Sequence, residues 1–174
     1  MKKFELTNEF ITNMFGTKLF RIRALVEFGD VEAGELGGYV EKESNLGHDD
    51  NAWVYDNAWV YGDAQVSGDA LVYGNARVYG NAWVYGNALV CGNGDYAYAH
   101  GFGSVNRTTT FFRLKDGGVG VRCGCFYGTL AQFRDKIRET HGESAIAEEY
   151  LDLAALMEKR FRRTGNEQKT EEES

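Results

Sequence analysis

Between Asn51 and Gly92 the chain says almost the same six residues over and over: NAWVYD, NAWVYG, DAQVSG, DALVYG, NARVYG, NAWVYG, NALVCG. Valine falls at 54, 60, 66, 72, 78, 84 and 90, and alanine stands two residues before each. A repeat this regular is itself the architectural unit. Six is not a helical period, because 3.6 residues per turn would carry the valines around the whole cylinder. In an extended strand, Ala and Val two apart share one side, while the residue between them and the Tyr after Val share the other. Gly followed by Asn or Asp then makes a corner, since these residues tolerate left-handed backbone angles. One hexad reads as a short strand plus a bend.

The rest of the composition agrees. Among 174 residues there are 22 glycines and no proline, where ordinary usage near 5% would give about nine. A backbone that uses its N–H groups throughout and turns corners on Gly and Asn explains both numbers.

Two looser hexads precede the seven, Gly38 with Val40 and Ser44 with Leu46. Leu46 and Val54 are eight apart, so GHDD at 47–50 carries a two-residue insertion at a corner. The inward residues then group as three coils, 40/46/54, 60/66/72 and 78/84/90. The pattern resembles the hexapeptide repeat of left-handed parallel β-helices, in which three hexads close one triangular coil; the left hand is implied by that resemblance alone. With strands about 4.7 Å apart, three coils stack only about 14 Å tall, so both ends need covering.

These features predict a mainly β chain: a short left-handed parallel β-helix with an N-terminal β cap and a C-terminal α+β module. The expected divisions are 1–35 for the cap, 36–94 for the β-helix, 95–163 for the module and 164–174 for a disordered acidic tail. In the module, TTTFFRL, KDGG and VGVRCG read as a β-hairpin. Two helices follow, over 130–140 and 144–163. The second is capped by Ser144 and has an apolar face of Ile146, Tyr150, Leu153, Leu156 and Met157.

A hydrophobic content of 43% supports a real core, and a net charge of −7 disfavours a protein that coats nucleic acid or an anionic membrane. MKKFELTNEF meets Glu5 and Glu9 before any useful apolar run, and no later run is long enough to span a bilayer. A cytoplasmic location is expected, and three cysteines fit thiols better than a disulfide framework.

Stacking every 18 residues places Trp53, Leu71 and Leu89 in one outward column and Tyr55, Tyr73 and Cys91 in the next. That flank is too apolar to leave wet and is the expected oligomer interface, in a homotrimer. A second flank carries Trp59, Tyr61, Arg77 and Tyr79 beside Tyr39. A third carries Gln65, Ser67, Trp83 and Tyr85. Tyrosines suit a half-exposed strand surface by propensity alone. Read as aromatic anchors around an arginine, Trp59, Tyr61, Arg77, Tyr79, Trp83 and Tyr85 form a binding surface.

Enzyme readings are weaker. Hexapeptide coils often occur in acyltransferases that use acyl-CoA or an acyl carrier and a histidine base, which makes His48 the one catalytic candidate, with Asp49 and Asp50 to orient it. Those enzymes have longer stacks and an extended loop. A zinc hydratase of the same class needs several interface histidines, whereas His48, His100 and His141 lie far apart. Cys123 and Cys125 in CGC, on one side of a continuing strand, lack a second ligand pair and read as structural thiols. HGFGS at 100–104 reads as a loop, and ETHG at 139–142 as a helix end capped by Gly142. No metal or cofactor is expected.

Beyond the repeat, LGGYVEKESNL at 36–46, the tandem NAxVYG hexads and TTTFFRLKDG with VRCGCFYGTLAQF and ETHG resemble a group of small uncharacterised proteins of bacteriophages and gut bacteria. The resemblance covers nearly the whole chain and implies a phage-type accessory protein that binds and blocks a host defence component.

Overall fold

In the computed structural model, which describes residues 1–173, each hexad forms a two-residue strand followed by a turn. The strands are β4 (Trp53–Val54), β5 (Trp59–Val60), β6 (Gln65–Val66), β7 (Leu71–Val72), β8 (Arg77–Val78), β9 (Trp83–Val84) and β10 (Leu89–Val90). Ahead of them lie β1 (Phe4–Thr12), β2 (Lys18–Ala24) and β3 (Leu36–Val40). Parallel pairing joins Val40 to Val60 to Val78 on one face and Val54 to Val72 to Val90 on another. On the third face it joins Leu46 to Val66 to Val84.

The ladder explains the absence of proline. Trp53, Tyr55, Asn57, Trp59, Tyr61, Gln65, Ser67, Leu71 and Tyr73 each donate a backbone N–H to the carbonyl 17 residues on. For Tyr39, Glu41 and Gly47 the offset is 19. The first coil is therefore two residues longer, and the extra pair lies between Gly47 and Trp53, where the valine spacing breaks. At the corners, Asp50, Asp56, Gly62, Gly68, Gly74, Gly80 and Gly86 all take positive φ, six residues apart. Inside, the alanines from 52 to 88 and the valines from 54 to 90 are at most 1% exposed. Each buried valine contributes roughly 1.5–3 kcal/mol of apolar transfer.

The N-terminal edge is closed by chain from the same unit. β1 and β2 form an antiparallel hairpin, and β2 pairs antiparallel with β3 through Phe20 to Val40 and Arg21 to Tyr39. This extends one face of the coil and occupies its open edge. Two glycines of LGGYV permit the close approach: a Cβ at Gly37 would lie 2.6 Å from the Val54 oxygen, and one at Gly38 would lie 2.7 Å from Val54 Cγ1. At the other end, the side chain of Asn93 accepts from the N–H of Arg77 at 2.8 Å, standing in for the carbonyl of a coil that does not follow.

The chain divides into two compact units, Met1–Asn93 and the residues from Gly94 onward. The second contains β11 (Tyr96–Phe102), β12 (Arg107–Arg113), β13 (Val119–Cys123), β14 (Phe126–Thr129), α1 (Leu130–His141) and α2 (Ala145–Glu172). Its strands form one antiparallel meander in chain order. β12 and β13 form the expected hairpin, β11 and β14 flank it, and β11 takes in residues 100–102 of HGFGS, expected as loop. Phe111, Val121, Phe133, Ile137, Tyr150, Leu153, Met157 and Phe161 make the core between sheet and helices. Thr129 caps α1 in a capping box with Gln132, Ser144 caps α2, and Gly142 ends α1 at φ 57°.

Three expectations are corrected in this unit. α2 continues past Arg163 to Glu172, because its last turns are tied down: Gln168 donates to the buried Asp95 at 2.8 Å, and Arg113 donates to Phe161 O and Thr164 Oγ1. Residues 164–172 of the expected disordered tail are thus helix, and Ser174 lies outside the described residues. Leu156 is 60% exposed, while Ala154 and Phe161 complete the buried stripe. The CGC strand does not continue, since Gly124 and Cys125 form the two-residue turn between β13 and β14. No helix among the described residues is long and apolar enough to cross a membrane.

Candidate functional site

Outward side chains of the coils stack in register because each stands 18 residues from its neighbour above. The guanidinium of Arg77 lies over the Trp59 ring at 4.2 Å. Trp59 meets Tyr61 edge-on at 6.5 Å, and Tyr61 stacks on Tyr79 at 5.4 Å. Tyr79 is 45% exposed and Arg77 is also exposed. Tyr39, the first member of this ladder, is buried by the hairpin: Arg21 donates to its hydroxyl, which in turn donates to Glu9. The open cluster is therefore Trp59, Tyr61, Arg77 and Tyr79. On the next face Trp83 donates from its indole to Ser67 Oγ at 2.8 Å and meets Tyr85 edge-on at 6.0 Å.

The flank expected to join copies of the chain is divided. Tyr55 and Tyr73 stack at 4.3 Å with planes 1° apart, and burial, followed by the Tyr73 hydroxyl, pushes Tyr55 well above the usual tyrosine range. Leu71 and Leu89 are half-buried beside them. Trp53 is not part of an open surface. It is 0% exposed, with Phe28 edge-on at 5.3 Å and Phe4 at 6.3 Å, so its own N-terminal segment covers it.

His48 sits in the corner insertion with both ring nitrogens engaged. Nδ1 accepts from the backbone N–H of Lys3 at 3.1 Å, Nε2 faces Glu43 at 2.8 Å, and the ring stacks on Phe4 at 4.4 Å. An acceptor at Nδ1 places the proton on Nε2, where it donates to Glu43. The Glu43 carboxyl is held below its usual range first by the Lys2 ammonium and then by His48. Neither nitrogen is left to take a proton from a substrate, and Asp49 and Asp50 contact the corner through their backbone carbonyls. Those carbonyls, with that of Ala52, receive the buried Lys3 ammonium at 3.5, 3.3 and 2.9 Å. His48 and Lys3 dock the N-terminal cap on the coil.

A cavity of about 280 Å³ lies within the C-terminal unit, between the β13–β14 turn, the 104–107 loop and the facing sides of the helices. Cys123, Cys125, His141, Tyr150, Arg107 and Lys136 line it. Along the sequence, Cys123, Cys125 and His141 each fit a structural role when taken singly. The meander turn and the helical hairpin bring them to one place, and no local spacing announces it. Tyr150 stacks on His141 at 6.0 Å, and its hydroxyl meets Cys123 Sγ at 3.9 Å and Phe102 O at 3.4 Å. Burial, followed by Cys123, pushes its pKa up to about 12, so it stays a phenol. Among the described residues no group of three or more His, Cys, Asp or Glu is arranged to hold a metal ion.

Comparison with known proteins adds one family. Residues 52–68, 64–80 and 72–86 match the family model described as YdcK Beta solenoid repeat. No curated protein matches the chain. The match lies on the coils whose valines form the ladders described above. The central hexads of this chain are similar to that family's β-solenoid repeat.

Proposed function

We propose that the chain is a non-enzymatic binding or scaffold protein whose recognition surface is the Trp59, Tyr61, Arg77 and Tyr79 flank of the solenoid. The carrying observation is the Arg77 guanidinium over Trp59 at 4.2 Å, beside the Tyr61–Tyr79 stack. Trp, Tyr and Arg are the residue types that dominate binding hot spots. Here they are pre-positioned by a backbone ladder, which lowers the ordering cost on association. The coil hand is taken as left, from the resemblance of the hexads to left-handed β-helices. The Tyr55, Leu71, Tyr73 and Leu89 flank serves in this reading as the contact between copies of a homotrimer. The partner on the aromatic flank is a host protein, as the resemblance to phage accessory proteins implies.

The test is retention of a bacterial host protein by immobilised wild-type protein, compared with Arg77→Ala and Tyr79→Ala. The expected result is one protein held in fixed ratio by the wild type and lost by both variants at unchanged melting temperature. Equal retention by the variants would move recognition off this flank. The acyltransferase alternative is disfavoured by the engagement of both His48 nitrogens; a rise in melting temperature with acyl-CoA, together with turnover lost in His48→Ala, would restore it.

A further inference from the structure

We infer that the cavity of the C-terminal unit is a binding site for a small organic carboxylate with an apolar body. Its size sets the scale. A volume of about 280 Å³ lies at the lower edge of small-molecule sites, which run from about 300 Å³, and suits a small aryl or short branched carboxylate. The wall toward the core is apolar, made by Phe126, Phe133 and Ile137. Apolar walls with a few convergent polar groups are what small-molecule sites share.

Charge then selects the ligand. The chain has 26 acidic and 19 basic residues, yet the lining includes Arg107 and Lys136 and no Asp or Glu. Lys136 has Glu139 at 3.0 Å, an exposed i,i+3 pair of little strength. Arg107 has no carboxylate within ion-pair distance among the described residues. A planar guanidinium with such freedom is suited to a bidentate carboxylate. The Tyr150 phenol keeps its proton through neutral pH and donates it to Phe102 O at 3.4 Å, so it lines the wall as a neutral group and leaves charge recognition to Arg107 and Lys136.

The polar groups are held by design of the turns around them. Gly124 takes φ 59°, and a Cβ there would collide with the Arg107 guanidinium. Gly103 takes φ 78°, and a Cβ there would collide with the Tyr150 hydroxyl. The glycines of CGC and HGFGS thus leave the space that the Arg107 and Tyr150 side chains occupy. Both motifs acquire a reason that neither has as a plain turn.

The experiment titrates benzoate, and benzamide as its neutral isostere, into the full chain at neutral pH, following the His141 and Tyr150 ring signals by NMR. Wild type is expected to bind benzoate at least about tenfold more tightly than benzamide, the scale of one charge-assisted hydrogen bond. Arg107→Met should erase that preference with the melting temperature preserved. Should Arg107→Met fail to fold, Lys136→Met, exposed on α1, should reduce the preference severalfold. Equal affinity for the two probes, an unchanged preference in the variants, or no saturable shift with either probe overturns the inference.

Discussion

The ammonium nitrogen of Lys3 lies 2.9 Å from the carbonyl oxygen of Ala52, with the Phe28 ring 4.6 Å away. At 3% exposure it is a cation almost removed from water, held by three corner carbonyls. Burial, only partly offset by Asp50, Asp49 and Asp69, lowers its pKa from 10.5 to about 8. Below about 8 the lysine is charged in both states, and its burial opposes folding in full. Between about 8 and 10.5 the folded lysine has released its proton while the unfolded one keeps it, so stability rises with pH across that window. The difference in urea midpoint between wild type and Lys3→Met should move in favour of wild type as pH rises through it. Parallel pH profiles for the two proteins would contradict this.

Glycine at the corners should be required to different degrees. Gly68 has φ 71°, and a Cβ there would lie 2.8 Å from the Gly86 nitrogen, one coil above. Gly117, at φ 86°, opens to empty space. Gly117→Ala should cost about 1 kcal/mol for the left-handed backbone alone, and Gly68→Ala about 1 kcal/mol more for the displaced neighbour. Tryptophan fluorescence reads the Gly68 variant cleanly, since Trp53, Trp59 and Trp83 are all in the coils. The Gly117 variant is read by the loss of helical circular dichroism.

Val72 lies in the middle of the Val54–Val72–Val90 ladder and is fully buried. Val72→Ala should lower coil stability by about 2 kcal/mol, from lost transfer energy and the cavity left behind. Its neighbour Leu71 faces outward and is half-buried. In the homotrimer proposed above, Leu71→Asp should reduce the mass seen by light scattering to that of a monomer and remove the dependence of the denaturation midpoint on protein concentration.

Asp95 is 2% exposed, accepts from Gln168 and lies 3.7 Å from Arg113 Nε. Asp95→Ala leaves that guanidinium with a weaker set of partners, a change that costs about 3–5 kcal/mol when the pair is fully buried. The last turns of α2 should then exchange their amide protons faster. Glu167→Ala, which removes only an exposed pair with Arg163, should change exchange in the same turns by well under 1 kcal/mol.

What could be read in the sequence was what repeats locally. Alanine and valine at a fixed offset fix which side of each strand faces inward, and the break in valine spacing located the longer coil. Trp53 could not be placed that way, because its burial depends on Phe4 and Phe28, which approach from outside the repeat. The helical stretch from Thr164 was hidden for a similar reason: its residues look like a solvated tail until Asp95 and Arg113, some 70 and 50 positions earlier, provide anchors. The cavity joins Arg107, Cys123, His141 and Tyr150 through tertiary turns, so no spacing along the chain marks it.

The 18-residue register has a consequence for how such a chain can change length. Duplicating or deleting three consecutive hexads would return every downstream side chain to its own face, so Tyr would still meet Tyr and glycine corners would still stack. Gaining or losing a single hexad would turn everything after it by a third of a revolution about the coil axis. The aromatic flank, the apolar flank and Asn93 at the end of the ladder would then trade places. Viable variants of this architecture are therefore expected to differ in length by whole coils, and a lineage of them would grow in steps, as a screw advances by whole threads.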